Sequence, residues 1–362
     1  MTRGSLATLT LLAWVLLSLS AFLFSLSPPS KPEENLKSLI IVPTGTAFRA
    51  VATNLEEQSL LRSAFAFEVL AALTGARETI QSGEYEIDHN SSALDILTQL
   101  VEGDVKTYTL TLIEGQTLAE SFTGLHASEG LTLELTGPDD PRLLSLTANA
   151  FDRTLSSEGL FMPDTYEYRR GDSDIDLLRR AHALLLDQLS AVWESKAARL
   201  PLKSPYEALI LASIIERESG LQAERARIAG VFANRLHRGM RLQSDPTTIY
   251  GLGASYDGAL TKAQLRGSTA FNTYTINGLP PTPIALSSLS ALKAAVRPED
   301  HNYLYFVADG EGGHVFSETL EQHNQAVRRY RQTLSIPDEE SRGQAVQAPD
   351  RELDTKLETR TQ

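Results

Sequence analysis

From Ser5 to Leu26 the chain reads "SLATLTLLAWVLLSLSAFLFSL", 22 residues without a charge. As a helix this stretch spans ~33 Å at ~1.5 Å per residue, about one bilayer hydrocarbon core. The sequence therefore predicts a single membrane anchor over 5–27, with 1–4 on the cytoplasmic side and every domain after it. A cleaved signal peptide is the competing reading, but its apolar region is usually ~7–15 residues and ends in a small-x-small site. Orientation is only weakly signalled, because Arg3 alone precedes the segment while Lys31 and Lys37 follow it.

Beyond the anchor, the Pro-rich polar stretch "SPPSKPEEN", which starts at Ser27, predicts a linker over 28–37. Residues 38–111 alternate short strand and helix signals. "SLIIVPTGT", "SGEYEI" and "KTYTLTLIEG" read as strands; "RAVATNLEEQSLL", "SAFAFEVLAAL" and "SSALDILTQLVEG" read as helices. A connecting region, 112–147, leads to a helix-rich stretch over 148–337 that carries the polar clusters of interest. The last segment, 338–362, has few apolar residues and reads as a disordered tail. The expected fold class is α+β: a transmembrane helix, a small α+β module and a helix-rich α+β domain. Hydrophobic residues make up 42% of the 362, enough to supply two cores.

Charge and cysteine content remove whole classes of function. A net charge of -13 without a basic stripe argues against binding nucleic acid. With no cysteine, disulfides, thiolate nucleophiles and cysteine metal sites are excluded. No cofactor is called for either. His314 and His323 lie nine residues apart, which fits no standard metal-ligand geometry, so a structural or substrate-edge role suits them better. "ADGEGG" lacks the Lys-Ser or Lys-Thr of a phosphate loop and reads as a turn.

The sharpest chemical signal is "LASIIERESG", residues 211–220. Ser204, Pro205 and Glu207 form a strong helix start, with a cap, a first-position proline and the makings of a capping box; Gly220 is a natural stop. At ~100° per residue, Glu218 falls within about 60° of Leu211, Ile214 and Ile215, whereas Glu216 points about 160° away, beside Leu209. Glu218 also occupies the last turn, where the helix dipole disfavours negative charge. Apolar neighbours and the dipole both raise a carboxyl pKa, which suits a general acid. The alternative is that "ERES" is a charged, solvated helix end with Arg217 pairing locally. Downstream, "GMRLQSDPTTIYGLG" and "FNTYTINGLPPTPI" are loop-like and dense in amides, hydroxyls and tyrosines, the groups that saccharide sites use.

These residues resemble the membrane-anchored endolytic murein transglycosylases of the YceG-like (MltG) type. The resemblance runs from the anchor to about Tyr330 and rests on five ordered motifs. They are "EGLFMPDTYEY", "LASIIERES", "NRLHRGMRLQSDPTTIYGLG", "FNTYTINGLPPTPI" and "LYFVADGEGGHVFSETLEQHN". It implies a LysM-like module in the first soluble region and a catalytic domain after it. It further implies an inner-membrane location with the catalytic domain outside the cytoplasm, and cleavage within nascent peptidoglycan strands. Peptidoglycan synthases become candidate partners, alongside the bilayer itself through 5–26. The second glutamate of the ExE pair is the catalytic one in such enzymes, which matches Glu218. Two departures stand out: Met162 in "LFMPD", and a tail longer than the family needs.

Ordinary glycosidases pair two carboxylates, and here only one strong candidate exists. A lytic transglycosylase needs no second, because the C6 hydroxyl of N-acetylmuramic acid attacks its own C1 and leaves a 1,6-anhydro end. Glu218 would protonate the leaving oxygen and then accept the hydroxyl proton. Gln243, Asp245 and Asn272 are the expected hydrogen-bonding groups, with Tyr250 and Tyr274 as ring platforms. Loop packing is the competing role for each, most of all for Asp245 before Pro246. A muramidase in which Asp245 or another acid activates water, and a silent glycan-binding scaffold, are the alternative functions.

Overall fold

The computed structural model describes residues 3–29, 36–151 and 156–334; most of the expected linker and all of the expected tail lie outside the described residues. The chain forms two compact units. The first holds Met1–Thr109, Glu129–Thr132 and Glu167–Asp172; the second holds Leu110–Ser128, Leu133–Tyr166 and Ser173–Gln362. The stretch expected as a connector, 112–147, is thus not a separate piece.

In the first unit, α1 (Arg3–Ser25) is followed by β1 (Lys37–Val42), α2 (Phe48–Glu57), α3 (Ala64–Thr74), β2 (Gly83–Asp88), α4 (Ala93–Glu102) and the start of β3 (Thr107–Thr111). Every strand and helix expected over 38–111 forms. β1 and β2 pair antiparallel from Lys37↔Asp88 to Val42↔Gly83. Ile40, Val42, Tyr85 and Ile87 turn inward from this pair onto Val51, Leu55, Phe67, Ile96 and Leu100. Local chemistry punctuates the elements: Ser92 and Asp95 close a capping box on α4, and Gly103 ends it at φ +69°, where glycine is the residue least penalised.

Helix α1 covers the expected anchor, and its large side chains point outward, Leu11, Trp14 and Leu17 each being more than half exposed. Its side chains are described only from Thr10 on. Among the described residues no helix is long and apolar enough to cross a membrane. At its end α1 is tied into the first unit. The Arg62 guanidinium lies 4.5 Å above the Phe24 ring, and the Leu26 carbonyl accepts from the Ala93 N–H at 3.0 Å.

The second unit is helix-rich. It contains α5 (Leu118–Ala127), α6 (Pro141–Thr147), part of β4 (Thr165–Arg169), which pairs with β3, and then α7 (Asp174–Glu194) and α8 (Pro205–Glu218). There follow α9 (Arg225–His237), α10 (Asp245–Leu252), the short α11 (Lys262–Arg266), α12 (Leu289–Val296), the hairpin of β5 (Tyr305–Ala308) and β6 (His314–Ser317), and α13 (Leu320–Leu334). The expected loop "GMRLQSDPTTIYGLG" is therefore half helix. "SDP" is a helix start, with proline in the first turn of α10.

At the centre sits α8, with every residue from Ala208 to Glu216 buried. Its start is close to expectation: Ser204 accepts from the Glu207 N–H, although Glu207 reaches back to the Lys203 N–H rather than that of Ser204. Its end is not. The helix stops at Glu218 with Ser219 extended at φ -133°, so Gly220 is not used as a left-handed cap. The face opposite Glu218 does not meet solvent. Leu209, on that face, packs with Ile228 and Phe232 of α9 and with Leu292 and Val296 of α12 in one apolar core that also takes in Ile214 and Ile215 from the Glu218 side, so the apolar surface of α8 is buried all round. Glu216 is consequently buried. It pairs with Arg225 and accepts from the Ser288 N–H at 2.8 Å and from the Ser288 hydroxyl. Arg217, expected to pair locally, donates to the Gly115 carbonyl at 2.9 Å.

Candidate active site

The C-terminal end of α8 delivers the Glu218 carboxyl to a cavity of about 250 Å3. The wall opposite comes from segments far apart in sequence: Arg235 of α9, Gln243 and Asp245 at the start of α10, Tyr274, Tyr305 of β5, and His323 and Tyr330 of α13. Ser244 donates its hydroxyl to Glu218 Oε1 at 2.5 Å. That serine is held by a web of hydroxyls. Its N–H donates to Thr273 Oγ1 at 2.9 Å, and Thr247 donates to its carbonyl at 2.6 Å. A donor this well fixed orients the carboxyl before any ligand arrives.

Burial pushes the Glu218 carboxyl up to about 7, and the nearby Asp245 carboxylate raises it further; the Ser244 hydrogen bond and the Arg235 charge oppose the rise. A glutamate with that pKa exists in both protonation states near neutral pH, the requirement for donating a proton and then accepting one. Asp245 is also raised, by burial, against the hydroxyl of Tyr274, which donates to its Oδ1 at 2.6 Å. Tyr274 in turn is pushed well up by burial and by Asp245, so it remains a phenol and a donor.

Of the six residues expected at a site, four meet at this cavity: Glu218, Gln243, Asp245 and Tyr274. Gln243 sits at φ +50°, an uncommon conformation for a side-chain-bearing residue, and its Oε1 accepts from Arg235 Nη1 at 2.9 Å. Tyr274 is only 8% exposed, so it holds Asp245 with its hydroxyl more than it offers an open ring face. The other two are not brought there. Asn272 is completely buried; its amide donates to the carbonyls of Leu265 and Gly267, and its oxygen accepts from Thr248 and the Tyr274 N–H. Its hydrogen-bonding capacity is spent on the loop. Tyr250 packs edge-on against Phe271 and donates to Glu158 Oε2 at 3.2 Å.

Several cavity residues were not singled out from sequence. Arg235 lies in the quoted "NRLHRG" but reads as an ordinary polar helix position; only its burial, at 7% exposed, marks it. Its Nε donates to the Leu304 carbonyl and its guanidinium lies 5.1 Å from the Tyr305 ring. His323 stacks on that same ring at 5.2 Å and lines the cavity. His314 instead binds Glu224 at 2.7 Å. Among the described residues no group of three His, Asp or Glu side chains is disposed to hold a metal ion.

With this geometry in view, comparison with known proteins is informative. The chain is 29% identical over 329 residues to an endolytic murein transglycosylase of Bacillus subtilis, covering 86% of this chain and 90% of that protein. It is 27% identical over 320 residues to an endolytic murein transglycosylase of Streptococcus pneumoniae, covering 80% of this chain but 57% of that longer protein. A crystal structure of a YceG-like protein from Listeria monocytogenes superposes with a TM-score of 0.51 at 28% identity, covering 81% of this chain and 99% of that one. The family profile described as YceG-like matches residues 40–329, and the chain belongs to that family.

Proposed function

We propose that this protein is an endolytic lytic transglycosylase that cleaves the MurNAc–GlcNAc bond within peptidoglycan strands and leaves 1,6-anhydro ends. The observation that carries this reading is Glu218: one carboxyl, raised to about 7, aimed into a cavity of about 250 Å3 by a serine hydroxyl. Protonated Glu218 donates to the glycosidic oxygen as the C1–O bond breaks. The resulting carboxylate takes the proton from the C6 hydroxyl as that oxygen bonds to C1. One group thus serves both steps, because the substrate supplies the nucleophile. In this reading Asp245, held by the Tyr274 hydroxyl and near enough to Glu218 to raise its carboxyl, supplies negative charge to an oxocarbenium-like centre. The names of the relatives from Bacillus subtilis and Streptococcus pneumoniae support the same reaction.

The rest of the chain fits this role. In our reading residues 5–26 anchor the protein in the inner membrane, a view supported by the outward apolar side chains of α1 and by the uncharged run they belong to. The first unit, with its own core, serves as a LysM-like module beside the strand, and the catalytic unit works outside the cytoplasm, where peptidoglycan synthases are candidate partners. Mass spectrometry of the products from purified peptidoglycan tests the reaction. Anhydro ends are expected; reducing ends would make the enzyme a muramidase, and no new ends a glycan-binding scaffold. Glu218→Gln, which keeps size and hydrogen bonding, should lower activity by ~10²-fold or more without unfolding the protein.

A further inference from the structure

The uncharged run that ends at Leu26 does not lead into a free spacer. The Leu26 carbonyl accepts from the Ala93 N–H at 3.0 Å, and the Leu36 carbonyl accepts from the His89 N–H at 3.0 Å. Both ends of the stretch expected as a linker are thus fastened to one short segment of the first unit, His89 to Ala93. Leu26 also packs against that unit's core. A segment tied at both ends to the same body cannot hold it away from whatever α1 enters.

With residues 5–26 as a membrane anchor, these ties fix where the first unit stands. The run spans ~33 Å as a helix against a hydrocarbon core of ~30 Å, so the hydrocarbon boundary falls in the last turn of α1. In that turn the Arg62 guanidinium lies 4.5 Å above the Phe24 ring, the position of a cation that reaches from an apolar edge into the headgroups. Phe65, in the first turn of α3, is three residues on from Arg62, at most ~11 Å of chain. Leu94 adjoins the residue bonded to Leu26. Phe65 is 75% exposed and Leu94 54% exposed. Two large apolar side chains therefore stand uncovered beside the point where α1 leaves the hydrocarbon.

Phe65 also opens a stripe. At ~100° per residue, Val69, Ala72 and Leu73 lie within about 80° of it around α3; Ala72 is exposed, and Leu73 is 76% exposed. Helix α3 thus has two apolar faces: Phe67 and Ala71 enter the core, and the Phe65 stripe faces outward. Glu68 borders the stripe and is paired with both Arg49 and Arg77. That border carries more positive than negative charge, the sign that suits anionic headgroups.

We propose that the first unit rests directly on the bilayer, with Phe65 and Leu94 inserted at the headgroup level and the outer stripe of α3 lying against lipid. Such docking presupposes the membrane anchor proposed for residues 5–26 and is independent of the reaction at Glu218.

The chain has no cysteine, so a single introduced one carries a nitroxide spin label at a unique site. The full chain is labelled and reconstituted into vesicles of phosphatidylcholine and phosphatidylglycerol. Accessibility is then measured to oxygen, which concentrates in hydrocarbon, and to a nickel chelate, which stays in water. Leu16→Cys gives the bilayer reference, and Lys203→Cys, at an exposed position of the second unit, gives the water reference. Labels at Phe65→Cys and Leu94→Cys should be several-fold more accessible to oxygen than to the chelate, as at Leu16. The replaced side chains at 65 and 94 are exposed, so an unchanged melting temperature is expected. If both labels rank with Lys203 while Leu16 reports lipid, the docking is overturned and the anchor stands. If Leu16 itself ranks with Lys203, the anchor fails and the docking with it. Protection of Phe65 from both reagents would mean that protein, a second copy or another segment of this chain, covers the face, and this also overturns the docking.

Discussion

At the scale of single residues, the proposed chemistry depends on how far Glu218 is held above the usual carboxylate range. A general acid with a pKa of about 7 loses its proton as pH rises, so activity should fall on the alkaline side of about pH 7. The Ser244 hydroxyl favours the ionised form, so Ser244→Ala should move this limb to higher pH. A pH–rate profile that does not move would remove the serine from the tuning of the acid. A second carboxyl has a comparable pKa and no access to this cavity. Glu158, buried at 6% exposed, is pushed up to about 7 by desolvation, although it accepts from the Leu118 N–H and from Tyr250. Its folded pKa lies above its unfolded value, so its contribution to stability is full below pH ~4.5 and is lost as pH rises to about 7. The loss is on the order of 3 kcal/mol at ~1.4 kcal/mol per unit. Chemical denaturation at pH 5 and pH 8 should therefore show a smaller difference for Glu158→Gln than for the wild type.

Among the elements, α8 carries two glutamates with opposite duties, separated by its rotation per residue. Glu218 leaves the helix end for the cavity, while Glu216 joins α8 to α9 through Arg225 and to the cap of α12 through Ser288. Breaking a buried pair by removing one charge leaves the other uncompensated, at a cost of about 3–5 kcal/mol. Glu216→Gln should accordingly lower stability by roughly that amount, contrary to the mild effect expected of a solvated helix end. Thermal unfolding decides the matter, and an unchanged melting temperature would mean that Arg225 finds another partner. The glutamate's helical face is legible from spacing, since Leu211, Ile214 and Ile215 sit beside Glu218. What the opposite face meets is not legible. Period gives direction around an axis, and only packing says whether solvent or another helix waits there.

For the molecule as a whole, the proposed anchor over residues 5–26 is what would set where the reaction occurs. Fractionation of cells expressing the full chain should leave it in the membrane pellet after a high-salt wash, which removes proteins held by charge alone. A chain beginning at Pro28 should move to the soluble fraction. Recovery of the full chain in the soluble fraction would remove residues 5–26 from the bilayer. The two-unit organisation was readable because each half carries its own apolar periodicity. The short returns of Glu129–Thr132 and Glu167–Asp172 to the first unit were not, since strand pairing between β3 and β4 is a long-range choice.

The sequence alone determined the elements of the first unit, the start of α8 and the side of that helix on which Glu218 lies, because caps, glycines and periodicity act over a few residues. Its ordered motifs also pointed to the family that residues 40–329 match. Tertiary structure decided which polar side chains share the cavity. Asn272 and Gln243 both lie in stretches that look alike in sequence. One is consumed by the carbonyls of its own loop, and the other, at φ +50°, is turned toward Arg235. Arg235 joins Glu218 from the next long helix, and Tyr305 and His323 from segments far along the chain. Local propensity contains no term for such meetings; they arise only when the core around α8 closes and fixes where each helix end and strand must stand.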